Sequence, residues 1–485
     1  MSFDYDLVVI GSTLEGIYAA RKAVLLQARV ALVTQTKEEY LNYNSFIYNN
    51  CLNEITKSIA EFGFSPWEVC QENSPVQKPS LAEIKNWGNL VRENITAENS
   101  LGDLSILGVD VIYGKGEFCR LPKQAFLVNN RQLLSRNYLL ATGAKYRLKS
   151  DYQTQSLNCF TPDNLWSQNL DKLPQSVVII GDSHRSLELA QGLARLGKKV
   201  TLATSNKRLL SEEVVEASRL FQAQFAADGI EVLLNSPLTQ VKVIEGKTWI
   251  QLGNNALEIE AAAIIFTDIR QPNIAGLNLE GVGVKFLDRG IVVNEQLQTT
   301  NKSIYACGDL LGGHSLPHTA QYEVDIALKN MLSFSWFKKD YRYLPTVILT
   351  QPNFARVGLT KIKIEQNNKD IYFVKQHFKT NLSAQISGLT AGWGQFIIKT
   401  NGEILGCTIL GNRAIELINI IAMMIRQKIK LSRNPIQGLL KQEISYVEPS
   451  FTEILNRVTI AFHQQKLQRD KKLRNRLETW FVWRR

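Results

Sequence analysis

A carboxylate that could bind the hydroxyl groups of a polyol ligand follows a short apolar strand in the stretch LQTTNKSIYACGD, residues 297–309. The strand IYA runs directly into Gly308 and Asp309. Glycine at this point would let the backbone turn and approach a ligand closely, because it has no Cβ atom to clash. Most Gly-Asp pairs after strands are plain turns, so this chemistry depends on what else the chain carries.

A glycine-rich turn that could hold a phosphate lies between two apolar strands at residues 5–34. DLVVI has the continuous apolar character of a buried strand, GSTLEG opens a helix that runs to about Leu26, and ARVALVT is the next strand. In such βαβ units the N-terminus of the helix binds a pyrophosphate. The candidate binding residues are Gly11, Ser12, Thr13, Gly16 and Thr34.

The fingerprint of this unit is incomplete. A full G-x-G-x-x-G pattern ends in an acid on the second strand, whereas Thr13 replaces the middle glycine and Thr34 stands at the position of the acid. The Thr13 side chain adds bulk where backbone should approach the phosphate, but its hydroxyl could donate a hydrogen bond to that phosphate. The alternative is a structural βαβ unit without a nucleotide.

The order of motifs along the chain resembles that of the FAD-dependent pyridine nucleotide–disulfide oxidoreductases. This family includes glutathione reductase, dihydrolipoamide dehydrogenase and mercuric reductase. IYACGD resembles its IYAxGD signature, NYLLATGA its ATG crossover, RQPN its R-x-P-N segment and LPHTAQYEV its L-x-H-x-A-x-x-E-G helix start. The resemblance covers about residues 4–460 and implies FAD contacts at Thr142, Gly143, Gly308, Asp309, His318 and Ala320.

The resemblance also implies the architecture. An α/β fold is expected, with two Rossmann-like nucleotide-binding domains, the second inserted into the first, and an α+β C-terminal dimerisation domain. The expected ranges are 1–165 and 291–340 for the FAD-binding domain, 166–290 for the NAD(P)-binding-like domain, 341–460 for the dimerisation domain and 461–485 for a basic amphipathic tail. A homodimer formed through 341–460 follows from the same resemblance.

The redox-active cysteine pair of the family is missing. Its C-L-N-x-G-C-I-P-S-K segment corresponds to YLNYNSFIYN, so that the two cysteine positions hold Tyr40 and Ser45 and the lysine position holds Asn49. Neither tyrosine nor serine can form a disulfide or pass electrons to one. Cys51 lies on a different face of the same helix and has no neighbouring thiol, which is typical of a small buried side chain.

The second phosphate turn, in SVVIIGDSHRSLELA, has lost more of its pattern. The family sequence is GGGYIGxExA, of which Gly181 and Glu188 remain as candidate NAD(P)H contacts. Ser183 and Ser186 replace two glycines, and Asp182 places a negative charge where the nucleotide phosphate would lie. Weak binding of NADH and NADPH is therefore expected.

The proton-relay histidine of the family is also missing. Relatives read H-x-H-P-T-x-x-E where this chain has YVEPSFTE, with Tyr446 and Glu448 in place of the histidines. Glu448 could act as a base only if its pKa were raised. His318 falls at a non-catalytic histidine of the family, so no catalytic residue is assigned.

Composition narrows the classes of function. The 485 residues carry a net charge of +11, and residues 461–485 hold eight Lys or Arg against two acids. A local basic patch therefore explains the charge better than a nucleic-acid-binding surface. The six cysteines lack metal-ligand spacing, and no signal peptide is recognised, so a reducing, cytoplasmic location is expected.

The basic tail could be an attachment element. Leu473, Leu477, Trp480 and Phe481 lie on one helical face, and cationic side chains surround them. Such a helix could lie on an anionic membrane surface or bind a protein partner through residues 464–485. The alternative is that its aromatic side chains pack on the protein itself.

Two functions follow from these patterns. The first is an FAD-binding homodimeric flavoprotein without disulfide, lipoamide or mercuric-ion reduction, which passes electrons from a reduced cofactor to a quinone or another small acceptor without thiols. The second is a catalytically silent scaffold or regulatory dimer, in which FAD is structural or absent.

Overall fold

The computed structural model describes residues 3–35, 41–62, 78–98, 100–120, 122–146, 158–245, 247–253, 257–267, 270–313, 316–334, 336–360, 364, 370–431 and 447–485. Tyr40 and Tyr446, which the sequence analysis singled out, lie outside these residues. The chain forms two compact units. The first holds Met1–Ser205 and Ser236–Lys339, and the second holds Asn206–Asn235 and Asp340–Arg485.

The described helices and strands are as follows, in chain order. The helices are α1 Leu14–Leu25, α2 Leu41–Phe62, α3 Leu81–Glu98, α4 Leu101–Ile106, α5 Pro162–Leu165, α6 His184–Arg195, α7 Val215–Ala227, α8 Pro317–Leu332, α9 Leu382–Ile386, α10 Ala414–Arg426, α11 Glu453–Arg469 and α12 Lys471–Arg484. The strands are β1 Tyr5–Ile10, β2 Val30–Thr34, β3 Asp110–Tyr113, β4 Gly116–Cys119, β5 Ala125–Val128, β6 Arg131–Leu133, β7 Ser135–Leu140, β8 Ala144–Tyr146, β9 Cys159–Phe160, β10 Ser176–Ile180, β11 Lys199–Ala203, β12 Glu231–Leu233, β13 Leu238–Ile244, β14 Lys247–Leu252, β15 Leu257–Glu260, β16 Ala263–Phe266, β17 Arg270–Pro272, β18 Phe286–Leu287, β19 Gly290–Ile291, β20 Ile304–Ala306, β21 Thr346–Ile348, β22 Phe354–Gly358, β23 Ile371–His377, β24 Gly392–Lys399 and β25 Ile404–Gly411.

The central sheet of the first unit is parallel, with strand order β20-β7-β1-β2-β3. Its strands are continuous apolar runs because both faces of a parallel sheet are covered. In β1, Leu7 and Val9 contribute to the apolar cluster that includes α1 and α8, whereas Val8 and Ile10 contribute to the cluster on the opposite face. The predicted βαβ unit at residues 5–34 is confirmed as β1-α1-β2.

A second parallel sheet of the first unit contains the strands β11, β10, β16 and β9 in that order. Its β10-α6-β11 segment is the second predicted βαβ unit. In both βαβ units the first strand ends in a glycine that begins the turn to the helix, Gly11 and Gly181. The carboxyl ends of parallel strands are where α/β folds bind ligands, so the two turns position the candidate site.

The second unit is built on the five-stranded antiparallel sheet β21-β22-β25-β24-β23. Phe396 in β24 lies opposite Cys407 in β25, and both side chains are fully buried. Helices α10 and α11 contribute Ile418, Ile421 and Phe462 to the same apolar core. This arrangement matches the α+β organisation that was expected for the C-terminal part of the chain.

The structure places the start of the tail later than expected. Residues 461–469 continue α11, which packs on β23: Lys466 Nζ donates to the carbonyl of Thr400 at 3.0 Å and Arg469 to the carbonyl of Ile371 at 3.1 Å. Phe462 is fully buried. The separate segment is therefore α12, which begins at Lys471 because the Asp470 side chain caps it by accepting from Leu473 N.

The aromatic side chains of helix α12 are only partly covered by the described residues. None of its residues is buried, and Trp480 and Trp483 are 38% and 81% exposed. Packing on the protein itself, which was the alternative for the tail, is therefore not supported by the described part of the chain. Attachment to an anionic membrane or a protein partner stays a prediction. Among the described helices, none combines the length and apolarity needed to cross a membrane.

Truncation distinguishes the two halves of the C-terminal region. We expect removal of residues 471–485 to leave the free energy of unfolding nearly unchanged, because α12 buries no residue. Removal of residues 464–485 should lower it by about 1–3 kcal/mol, because it deletes the Lys466 and Arg469 hydrogen bonds. Urea denaturation of both variants tests this, and equal destabilisation by both would show that α12 belongs to the folded core.

Buried His463 should make the stability of the second unit depend on pH. Its side chain is fully buried, and neither ring nitrogen has a hydrogen-bond partner among the described residues. Burial, and then the charge of Lys466, lower the pKa of His463 to about 4. The folded state therefore keeps the imidazole neutral, while the unfolded chain binds a proton below about pH 6.5.

We expect the unit to lose up to about 3 kcal/mol as the pH falls from about 6.5 towards 4, since the unfolded state then binds more protons. His463→Leu should reduce this loss. His377→Gln is the comparison, at an exposed histidine of the same unit whose pKa is also lowered, by burial and then by the charges of Lys375 and Lys379, but less than that of His463; it should reduce the loss less than His463→Leu does. Thermal unfolding at several pH values measures the difference, and parallel curves for wild type and His463→Leu would contradict the assignment.

Candidate cofactor site

The turn between β1 and α1 requires glycine at two positions. Gly11 has φ +107°, and a Cβ atom there would lie 2.2 Å from the carbonyl oxygen of Ala141. A Cβ on Gly16 would lie 2.1 Å from the carbonyl oxygen of Gly11. Both distances are far shorter than any tolerable contact, so these glycines let the start of α1 close against the ends of β1 and β7. The turn has the backbone geometry of a phosphate-binding loop.

Thr13 closes this turn with its side chain. Its hydroxyl donates to the carbonyl oxygen of Ala141 at 2.8 Å and accepts from the backbone N–H of Gly16 at 3.4 Å as the N-cap of α1. The sequence analysis expected this hydroxyl to donate to a phosphate. The structure gives its single proton to Ala141 instead, because a carbonyl can only accept. Ser12, the other hydroxyl of the turn, is fully buried.

Thr34 ends β2 beside this turn and is 6% exposed. Its Oγ1 atom is buried and has no hydrogen-bond partner among the described residues. A buried hydroxyl without a partner costs roughly 1–3 kcal/mol, so a ligand hydroxyl that bonds to it would be stabilised there. The position is the one at which a dinucleotide's ribose binds in βαβ units, and this atom fits that role.

A second turn with a glycine at positive φ follows strand β20. Gly308 has φ +71°, and its backbone N–H donates to Glu323 Oε2 at 2.7 Å. The next residue, Asp309, forms an ion pair with Arg270 at 2.5 Å, and both side chains are less than a fifth exposed. A guanidinium this close stabilises the Asp309 carboxylate and fixes its orientation. Arg270 and Glu323 were not among the predicted site residues, although both lie within the quoted motifs RQPN and LPHTAQYEV.

Glu15 is the residue of the site that sequence reasoning missed. It is the second residue of α1, and one carboxyl oxygen lies 2.5 Å from the position that a Cβ on Gly308 would occupy. Burial, and then the charges of Asp309 and Glu323, raise the pKa of Glu15 to about 7. Small residues are expected at the x positions of the G-x-G-x-x-G pattern. The glutamate at such a position was the sequence signal that could have identified Glu15 as a site residue.

The crossover after β7 joins two segments of the first unit. Thr142 Oγ1 donates to the carbonyl oxygen of Asn273 at 2.6 Å, and Asn273 Nδ2 donates back to the carbonyl of Thr142 at 3.0 Å. Gly143, with φ +69°, accepts from Asn273 N at 2.9 Å. Thr142 and Gly143 therefore hold β8 and β17 together next to Asp309, rather than presenting free side-chain donors.

Helix α8 begins shortly after the turn at Gly308 and Asp309 and packs against that turn. Pro317 is its first residue, where a missing N–H has no cost, and His318 and Ala320 follow in the first turn. Ala320 is buried and His318 is half-buried. The two residues lie at the helix N-terminus as the resemblance implied, a position that favours negative charge.

A buried group of charged side chains surrounds the position of the missing cysteine. Ser45 donates to Asp163 Oδ1 at 3.4 Å, and Tyr146 N donates to Asp163 Oδ2 at 3.2 Å. The guanidinium carbons of Arg270 and Arg185 lie 5.2 Å and 5.8 Å from the centre of the Tyr146 ring. Burial raises the pKa of Asp163, while the two arginines oppose the shift. The side chain at this cysteine position is therefore a hydroxyl group that hydrogen-bonds to the Asp163 carboxyl group.

The other positions of the dithiol segment are also occupied by structural contacts. Asn49, at the lysine position, accepts from Trp166 Nε1 at 2.9 Å, and Trp166 packs against the ring of Tyr48 at 5.2 Å. Burial raises the pKa of the Cys51 thiol to about 11, so little thiolate forms at neutral pH. Within the described residues, every cysteine is a free thiol. No described group of three or more His, Cys, Asp or Glu could hold a metal ion.

The second phosphate turn is closed by a chain of hydroxyl groups. Thr267 donates to the carbonyl of Ile180 at 2.7 Å and lies 2.6 Å from Ser186 Oγ, which lies 2.8 Å from Ser183 Oγ. Ser183 also caps α6 by accepting from Ser186 N at 3.3 Å. Because Thr267 gives its proton to a carbonyl, Ser186 donates to Thr267 and Ser183 to Ser186.

The candidate NAD(P)H contacts flank this hydroxyl chain. Gly181 has φ +117° and donates its N–H to Ala203 at 2.8 Å, so the backbone turn is retained. Glu188 is 3% exposed within α6. Ser186 stands at the third glycine of the complete pattern, where its buried hydroxyl bonds to Ser183 and Thr267. Glu448, which replaces a relay histidine, is exposed in the second unit.

Comparisons with known proteins identify the family of the chain. A family model described as pyridine nucleotide-disulphide oxidoreductase matches residues 5–324, and the model of its dimerisation domain matches residues 344–439. Mercuric reductase of Staphylococcus aureus is 28% identical over 381 residues, which are 76% of this chain and 67% of that protein. Dihydrolipoyl dehydrogenase of Bacillus subtilis is 27% identical over 426 residues, which are 85% of this chain and 90% of that protein.

Solved structures of other proteins have a similar fold. The HOCl-induced flavoprotein disulfide reductase RclA of Escherichia coli superposes with a TM-score of 0.77 at 21% identity, covering 93% of this chain and 99% of that one. LpdA of Mycobacterium tuberculosis gives a TM-score of 0.79 at 21% identity, with 95% and 99% covered. At this identity the likeness concerns the fold.

Ser186 should limit the affinity for pyridine nucleotides. We expect neither NADH nor NADPH to bind the wild type with micromolar affinity, because Ser186 fills the turn and Asp182 adds a repelling charge. Ser186→Gly should strengthen binding by about tenfold, which corresponds to about 1.4 kcal/mol. Thr267→Val breaks the same hydroxyl chain but keeps the Ser186 side chain, so it should bind as weakly as the wild type. Isothermal titration measures all three, and micromolar binding by the wild type would refute the prediction.

Proposed function

We propose a function from the premise that the chain belongs to the pyridine nucleotide-disulphide oxidoreductase family: it is a homodimeric FAD-binding protein that performs no dithiol chemistry. The family binds FAD and uses NAD(P)H, and it has the α/β fold with nucleotide-binding and dimerisation domains. The observation that carries the proposal is the hydrogen bond from Ser45 to Asp163 at the position of a family cysteine. It gives the site an acid–hydroxyl pair in place of a redox-active thiol.

The first unit supports FAD binding with its backbone and with one hydroxyl. Gly11, Gly16 and Gly308 keep the close approaches that a diphosphate needs, and the buried Thr34 hydroxyl offers a hydrogen bond at the ribose position. The residues proposed to hold FAD are Gly11, Ser12, Thr13, Gly16, Thr34, Thr142, Gly143, Gly308, Asp309, His318 and Ala320. When bound, FAD would supply the capacity to accept and release electrons. We assign it to residues 1–165 and 291–340.

The residues of this chain would position the cofactor and restrict its chemistry. Arg270 keeps Asp309 ionised and oriented, so that the carboxylate can accept hydrogen bonds from ligand hydroxyls. The N-terminus of α8 would favour negative charge on a bound flavin. Since no thiol occupies the position of Ser45, electrons would pass directly to a quinone or another small acceptor. Residues 341–460 would form the dimer, as their match to the dimerisation-domain model supports.

A silent scaffold is the second candidate, and the closed second turn favours it. The Ser183–Ser186–Thr267 chain uses its hydroxyl protons internally, which leaves residues 166–290 poorly suited to deliver electrons from NAD(P)H. In that case FAD would be structural or absent, and the dimer would serve as a platform. The two candidates differ in whether bound flavin is reduced by any donor.

A two-part experiment tests the proposal. We expect the purified protein to take up FAD and to show flavin absorption bands, but to leave glutathione disulfide, lipoamide and mercuric ion unreduced when NAD(P)H is supplied. The reason is that Ser45 provides no thiol and the Cys51 thiol stays protonated. The assay follows NAD(P)H consumption, with Cys51→Ser as the matched control. Turnover that Cys51→Ser abolishes would show that Cys51 is redox-active and would contradict the proposal.

A further inference from the structure

We propose that Glu15 couples FAD binding to the uptake of a proton: its carboxyl lies where the diphosphate meets α1, so the cofactor binds the form in which Glu15 is protonated. This inference rests on the proposed function, because it concerns how the same site selects its ligand. It assigns a specificity-determining role to a residue of the phosphate turn.

The position of Glu15 is the first argument. The carboxyl accepts a hydrogen bond from its own backbone N–H at the start of α1 and reaches the Cα of Gly308, as the 2.5 Å distance to a Cβ placed there shows. It therefore spans the gap between the N-terminus of α1 and the turn after β20. These are the two elements that a dinucleotide diphosphate contacts in such a fold. An ionised Glu15 carboxylate would therefore lie next to the negatively charged diphosphate.

The charges around Glu15 are the second argument. Asp309 faces Glu15 from the turn after β20, and Glu323 faces it from α8. The Cys307 thiol lies near Glu15 and Glu323. Arg270 from β17 is the cation of the group, and it is paired with Asp309. An ionised Glu15 would therefore be the third carboxylate beside one guanidinium. Like charges at this spacing disfavour ionisation, and burial adds to the effect.

Two hydrogen bonds to Glu15 act in the opposite direction. Its own backbone N–H and the Thr13 side chain both lower the pKa of the Glu15 carboxyl. Burial and the charges of Asp309 and Glu323 outweigh these bonds, so the pKa stays raised to about 7.

The sign of the pH dependence follows. A bound diphosphate brings negative charge next to Glu15, which raises its pKa above the value of about 7 in the free protein. The complex therefore holds a proton that the free protein releases above about pH 7. FAD affinity should be nearly constant below about pH 6 and should fall by up to tenfold for each pH unit above about 7.

The experiment measures FAD affinity of the full-length protein, freed of bound flavin, at pH 6, 7 and 8 by quenching of flavin fluorescence. For the wild type, the dissociation constant should rise about fivefold between pH 7 and 8, because the pKa of Glu15 in the free protein is about 7. Glu15→Gln should bind FAD with little pH dependence and about tenfold more tightly than the wild type at pH 8. Glu117→Gln removes an exposed carboxylate of the same unit and should match the wild type.

A second readout counts the protons directly. Calorimetric titration in two buffers of different ionisation enthalpy should show close to one proton taken up by the wild type at pH 8 and none by Glu15→Gln. Glu15→Ala is the substitute if Glu15→Gln does not fold. Wild-type binding that is independent of pH and takes up no proton would overturn this inference and leave the proposed function intact. Failure of the folded wild type and variant to bind FAD at any pH would overturn both.

Discussion

The close contact between Gly11 and the carbonyl of Ala141 is the constraint on which the candidate site depends. Parallel pairing of β1 with β7 brings their carboxyl ends together, and the absence of a Cβ at Gly11 lets α1 start directly above them. Because β20 pairs with the other edge of β7, Gly308 arrives at the same place. The β1–α1 turn, the crossover after β7 and the end of β20 therefore meet only because Gly11 has no side chain.

The charged side chains around this site then determine which ligands it can bind. Glu15 from α1 and Glu323 from α8 approach Gly308, next to Asp309 of the same turn, and Arg270 pairs with Asp309. Glu323 is also used by the backbone, since it accepts from Gly308 N. Asp309 forms an ion pair with Arg270, whereas burial and the charges of Asp309 and Glu323 raise the pKa of Glu15. One site thus contains a fixed charge and a titratable one.

Hydroxyl side chains replace glycine in both phosphate turns, and both replacements follow the same logic. Thr13 and Ser183 cap their helices by accepting from the N–H three residues on. Thr13 donates to Ala141, and the Ser183–Ser186–Thr267 chain ends on Ile180, so each turn gives its protons to a backbone carbonyl. Helix N-termini that a ligand stabilises in the complete pattern are here stabilised by the chain itself. The first turn keeps a buried hydroxyl without a partner at Thr34, whereas the hydroxyl groups of the second turn bond to one another.

Short-range sequence patterns determined the two βαβ units and the chemistry at the position of Ser45. Apolar runs and glycine turns predicted the β1-α1-β2 and β10-α6-β11 units, and the identity of Ser45 was enough to exclude a thiol there. These features are encoded within a few neighbouring residues, which is why one sequence reveals them. The limits of α11 were harder, because Lys466 and Arg469 read as tail charges until the packing on β23 is known.

Only the tertiary structure decided the properties that depend on distant residues meeting. Glu15 reads as an ordinary charged residue at the start of a helix, and it becomes a titratable group because Gly308, Asp309 and Glu323 are folded against it. The destination of the Thr13 proton likewise depends on Ala141, which belongs to another strand. A pKa and a hydrogen-bond direction are set by burial and by neighbours in space, and neither is written in the spacing of residues along the chain.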